Sequence, residues 1–201
     1  MILTIGAAAA LCSCSQGEKK TQDTDFHYLL DEFADLKVIR FRVPGWDNLS
    51  LRQKEYAYHL SEAAKLGRDI TWDQYCKWNL PIRHVVEDIL NEYEGDRECA
   101  DFQNFTVYAK RLFFANGIHH HYSNDKFVPE FTEGYLLDAI ETIPEEKFGS
   151  LNSLRGEVCR AIFDPALYKT RLNQTAGEDL IATSSNNYYE GVTQAEVEKF
   201  H

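Results

Sequence analysis

The 201-residue chain is poor in basic side chains: 21 Lys plus Arg stand against 32 Asp plus Glu, for a net charge of −11 and a pI of about 5.1. Nucleic-acid binding rests on neutralising phosphates with cations, so that deficit argues against a nucleic-acid partner and against electrostatic docking of the whole chain on anionic lipid. No apolar run is long enough to span a bilayer as a helix. There is no Gly-rich phosphate loop, no G-x-G-x-x-G, no G-x-S-x-G and neither H-E-x-x-H nor its longer form H-E-x-x-G-H. The five cysteines contain no C-x-x-C pair, and the three beyond residue 14 (Cys76, Cys99 and Cys159) are too far apart for a zinc site or a disulfide framework. They read as small core-filling hydrophobes. No catalytic constellation is present.

The composition is otherwise that of a globular protein, with enough length for one domain and a sizeable core. Aromatics make up 13% of residues, which suits either a well-packed core or a lined groove. The N-terminus, MILTIGAAAALCSC, carries a short apolar run that ends on small residues and Cys14, then turns abruptly polar in SQGEKKTQDTD. This has the form of a bacterial lipoprotein signal over residues 1–14, with Cys14 as the lipidated residue and residues 15–25 as a polar tether. An exported chain follows from that reading, periplasmic or anchored by lipid to the outer membrane of a Gram-negative bacterium. The alternative is a buried N-terminal segment.

Residues 36–43 are rich in β-branched and aromatic residues with Lys37, Arg40 and Arg42 interleaved, and they predict a strand with one wet face. Helices then follow one another. Ser50 with Gln53 is a capping-box pattern, Gly67 is a stop, and Ala57, Leu60, Ala63 and Ala64 form a narrow stripe suited to close helix packing. Thr71 with Gln74 repeats the pattern ahead of a helical period from Tyr75 to Tyr93, where Pro81 should bend or split the helix. Asp101 opens a third helix that Asn116-Gly117 closes, Thr132 starts a fourth towards Pro144, and a further helix runs from about Ser153 to Phe163. The stretch from Asn173 reads as turns with one short strand at most. Thr193 with Glu196 opens a last helix of eight or nine residues, roughly 12–14 Å long. So short a helix is marginal alone, which predicts a chain cut within an element. The expected class is α+β, predominantly α-helical, with a minor β component.

The stretch NGIHHHYSNDKFVP places three histidines in a row. On a strand His119 and His121 would share one face, and such a pair can ligate zinc if a third ligand joins it. Nothing in the spacing of His27, His59 or His84 selects that third ligand.

Four segments, FADLKVIRFRVPGW, LSLRQKEYAYHLSEAAKLGRDI, NGIHHHYSNDKFVP and YYEGVTQAEVEKF, together resemble the N-terminal part of bacterial dipeptidyl peptidase III. The run ending in Lys126-Phe127-Val128-Pro129 carries the resemblance most strongly. It implies a zinc exopeptidase of two lobes that releases dipeptides from the N-termini of short peptides, with residues 26–201 forming part of the lobe opposite the zinc. In that family the metal is held by H-E-x-x-G-H and a later Glu, and the Glu of the motif is general base on zinc-bound water. Those residues are not in this chain, so the resemblance implies no catalytic residue and no bound zinc here, with the remainder of the enzyme as partner. By position it implies His121 and Tyr122 as peptide-contacting residues. The rival reading is a non-enzymatic surface lipoprotein that binds peptide or glycan through its aromatics, and a third is a small metal-binding protein using His119 and His121.

Overall fold

Ser50 stops the chain in an extended conformation, and its hydroxyl accepts from the Gln53 amide while the Gln53 side chain returns to the Ser50 N–H. That reciprocal cap starts α1 (Leu51–Leu66), as the S-x-x-Q pattern predicts. The computed structural model describes residues 26–144 and 154–200. Residues 1–14, 15–25 and Ser153, on which the signal, tether and helix-start expectations fall, lie outside them, Cys14 included.

The strand expected over 36–43 is real but shorter. β2 (Leu36–Ile39) pairs antiparallel with β1 (Leu29–Phe33), and the turn places Ala34 at φ 50. The hairpin buries only Phe33. It is held to the body by ion pairs, Asp31 with Lys110 and Asp35 with Arg111, both 2.7 Å. Arg40 N–H still donates to Tyr28 O (2.9 Å), and residues 41–43 then run exposed into the turn at Pro44-Gly45 and a single 3₁₀ turn, Trp46–Asn48.

The predicted long helix at Thr71 is two helices, α2 (Arg68–Tyr75) and α3 (Asn79–Glu92). Thr71 lies inside α2 and caps nothing. The split falls at Cys76, whose backbone is extended, and Pro81 sits in the first turn of α3, where its missing N–H has no helical partner to lose. Asn79, fully buried, bridges the break: its amide nitrogen donates to Trp72 O (3.0 Å), and its oxygen accepts from the Ile118 N–H (3.1 Å).

α4 (Ala100–Ala115) begins at an unexpected cap. Cys99, read as a core filler, instead offers its sulfur to the Phe102 N–H at 3.4 Å. Cys76 and Cys159 are buried, and burial pushes both thiols up to about 11. At the far end Asn116 adopts the left-handed conformation and Gly117 follows at φ 152, the stop that the Asn-Gly pair predicts. α5 (Glu133–Glu141) is capped by Thr132, and α6 (Arg155–Phe163) ends at Asp164. The 173–191 stretch contains a one-turn helix, α7 (Leu180–Thr183), and Thr193 caps α8 (Gln194–Glu198) with both halves of its box formed.

The core lies between α3, α4, α5 and α6, from Ile82, Val85, Ile89, Phe105, Leu112, Leu136, Ile140, Val158 and Ile162. Aromatic rings pack beside it, with Phe131 edge-on to Phe105, Tyr108 and Phe163. The fold is therefore predominantly helical with one small antiparallel hairpin. α1 departs from expectation. None of its residues is buried, so the small-residue stripe at Ala57, Leu60, Ala63 and Ala64 enters no packed interior, and only Ala64, at the C-terminal end, borders α2 across a shared groove.

Two substitutions test these junctions. A Cβ at Gly117 would stand 2.3 Å from the Asn79 amide nitrogen, at a backbone angle that L side chains avoid. Gly117→Ala is expected to destabilise by roughly 3 kcal/mol through that clash and the disturbed Asn79 bonds, read by urea unfolding. Cys99→Ser replaces a weak sulfur acceptor by a preferred cap and is expected to stabilise by about 0.5–1 kcal/mol in the same assay.

Candidate functional site

The loop Ile118–Phe127 leaves α4 and returns alongside itself. Phe127 N–H donates to Ile118 O (2.8 Å), His120 N–H to Asp125 O (2.8 Å), and Asn124 turns the chain at φ 65. The loop is tied on its other edge to the 168–171 segment, where Lys126 N–H donates to Lys169 O (3.0 Å) and Arg171 N–H to Asn124 O (2.8 Å). The Arg171 guanidinium lies over the Tyr75 ring, bonds the Asn124 side chain at 2.9 Å and reaches His121 O.

The three histidines diverge. His119 points into the protein at 2% exposure, with Nε2 2.7 Å from Tyr168 O. A carbonyl can only accept, so Nε2 carries the proton, and the buried Nδ1 lone pair has no hydrogen-bond partner. Burial is the main reason that its pKa falls to about 4, and Arg171 and Lys126 add to the effect. His120 uses Nδ1 to accept from the Tyr122 and Ser123 N–H groups, and its Nε2 stands 3.7 Å from Asp35. His121 lies between aromatic neighbours, with ring centres 5.1 Å from Phe114 and 4.3 Å from Tyr122. Its pKa is lowered by burial first and by His120 next.

This geometry does not suit zinc. His119 and His121 do not share a face, and one nitrogen of His119 and one of His120 already serve the protein's own backbone. Among the described residues no three His, Cys, Asp or Glu side chains are grouped to hold an ion. What the loop does offer is a display. Tyr122 is 83% exposed and stands at the tip of the run Phe114–His121–Tyr122, with Arg171 and Asn124 fixing the backbone beneath it. His121 and Tyr122, the two residues expected here, are consecutive in the chain, and their ring centres lie 4.3 Å apart. Arg171, Asp35 and Tyr168 were not expected, because only the tertiary fold brings residues so distant in sequence to this loop.

Tyr168 is the strained member of the group. It holds φ 51, an outlier for a bulky residue and worth about 1–3 kcal/mol of strain. Two bonds hold it there: Trp78 Nε1 donates to its hydroxyl (2.7 Å), and His119 donates to its carbonyl.

His119 sets a pH dependence. Unfolded, its pKa is near 6.5; folded, near 4. As pH falls from about 6.5 to 4 the unfolded chain takes up a proton that the folded chain refuses. The stability present above pH 6.5 is therefore lost across that window, by about 3 kcal/mol in all. Urea titrations at a series of pH values should show this fall, and His119→Asn should flatten it between pH 6.5 and 4.

No protein-family model matches this chain, and a search of the curated proteins finds no significant match.

Proposed function

We propose that this chain supplies the peptide-holding wall of an exported zinc dipeptidyl peptidase of the dipeptidyl peptidase III type, lipid-anchored through Cys14. The zinc motif of that family is not among these 201 residues, so the role of this chain is to bind and orient, not to activate water. The reading rests on the four segments that resemble the family in order. The observation that carries it is the exposed Tyr122 ring on a rigidly braced loop. A bare aromatic held from behind binds with little loss of side-chain freedom, which favours contact with an extended peptide. Asp35 stands nearby. A hydrogen bond from its own backbone N–H, with Arg111 next, holds its carboxyl below the usual range, so it remains an anion at neutral pH beside His120. That charge suits the free ammonium of a peptide N-terminus.

The test is binding by the purified chain. Titration of the ¹⁵N-labelled protein with unblocked tetra-alanine should shift the resonances of His121, Tyr122 and Asn124. Tyr122→Ala should weaken binding by roughly tenfold, the scale of one well-placed aromatic contact. Asp35→Asn should weaken the free peptide more than its N-acetylated form. Absence of any shift at about 10 mM peptide, or shifts that persist unchanged in Tyr122→Ala, would overturn the assignment.

A further inference from the structure

Behind the Tyr122 loop, the chain from Ala166 to Thr193 encloses two adjoining clefts of about 610 and 360 Å³. They share Tyr168, Ala182 and Ser184. Neither belongs to the peptide surface proposed above. We infer that this paired cleft is a binding site for a neutral polyhydroxylated ligand, a short oligosaccharide, lying across Tyr168.

Three observations carry the assignment. First, the larger cleft is polar but balanced, and the smaller one sets Ile181 and Val192 beside its polar groups. Thr170, Asn173 and Ser185 line one cleft, and Asn186 and Asn187 the other. Lys77 is matched by Glu190 at 3.0 Å, and Lys169 and Glu178 line the first cleft with opposite signs. A phosphate or nucleotide would call for clustered cations, and an extended peptide for apolar pockets at alternate positions. Sugar hydroxyls both donate and accept, and amides and hydroxyls can answer both roles.

Second, two polar groups are left over. The Thr170 hydroxyl and the Asn186 amide make no hydrogen bond to another described residue, although both residues are half-buried. Their neighbours are fully engaged: Asn173 bonds Glu178, Thr183 and Thr175, and Ser185 donates to Thr170 O.

Third, the frame is rigid where the ligand would lie. Ser185 N–H donates to Thr170 O (3.0 Å), Asn186 N–H to Arg171 O (3.1 Å) and Asn187 N–H to Gln74 O (2.9 Å). The shared wall is Tyr168, held in its strained backbone conformation by Trp78 and His119. A second ring, Tyr189, lines the smaller cleft at half exposure. Aromatic faces beside amides and hydroxyls give a sugar both its apolar and its polar contacts.

The probes are maltotriose, cellotriose and chitotriose, each added to about 10 mM to the ¹⁵N-labelled chain. At least one should shift Thr170, Asn186 and Tyr189 while leaving Tyr122 in place. Asn186→Ala with Tyr189→Ala should weaken that binding by roughly tenfold, and Thr170→Val, near-isosteric and free of any native bond to break, should weaken it by a smaller factor. Tyr122→Ala should not change it, which separates this site from the peptide surface. The inference is overturned if none of the three sugars shifts these residues, if binding survives the double substitution in a folded protein, or if tetra-alanine alone produces the same shifts.

Discussion

The Lys126 ammonium is the fixed point of the molecule. It reaches from the Tyr122 loop to the end of α6 and donates to three backbone carbonyls, those of Ala161, Asp164 and Leu167. An ammonium has three donors, and here all three are used. Ala161 lies in the last turn of α6, Asp164 is its C-cap and Leu167 belongs to the turn beyond, so the ammonium sits at a helix C-terminus, where the helix dipole favours a cation. Burial lowers the pKa of Lys126, and the nearby charge of Asp164 opposes that shift. One side chain therefore closes α6, positions the turn that leads into Tyr168, and holds the loop that carries the histidines. Removing it would take a donor from three carbonyls at a junction of three segments, a larger loss than an exposed ion pair represents.

Around that point the structure divides into a well-held part and a loosely held part. α3 to α6 share one packed interior. The β-hairpin and α1 do not: the hairpin contributes Phe33 and two ion pairs, and α1 contributes no buried side chain. Sixteen residues of helix are near the lower limit for persistence in water, and α1 has its capping box, local pairs such as Glu62–Lys65 and a contact with α2 at its C-terminal end to sustain it. Leu51, Tyr56, Tyr58, Leu60 and Leu66 are exposed along its length. Opening free energies should therefore be lowest here and highest in α3 and α4.

What the sequence made legible follows from how local each cause is. The caps at Ser50, Thr132 and Thr193 and the left-handed stop at Asn116 are settled within four residues, and each is where its pattern says. Thr71 bears the same pattern and caps nothing, because Gly67 already lets the chain start a new helix and Trp72 is drawn fully into the core. The α2–α3 break was readable only as a choice between a bend and a split. The deciding contact, Asn79 with Ile118, spans 39 residues. β1 has no alternating pattern to announce it, since it buries one residue. The stripe on α1 was legible as a pattern but not as an unpartnered one.

The candidate surfaces illustrate the same limit at the scale of function. His121 and Tyr122 could be singled out because they are adjacent in a marked motif. Tyr168 could not, since its importance lies in what grips it. His119 lies between the two surfaces. Its backbone belongs to the Tyr122 loop, and its ring holds the carbonyl of the residue that walls both clefts. A substitution at His119 would thus disturb both surfaces together and could not tell one function from the other. Tyr122 is exposed on the loop and Asn186 lines the smaller cleft, and neither side chain makes a hydrogen bond to a described residue. Truncating either removes what faces a ligand while leaving the shared support intact. A loss of binding at one that spares the other would then reflect the ligand and not the fold.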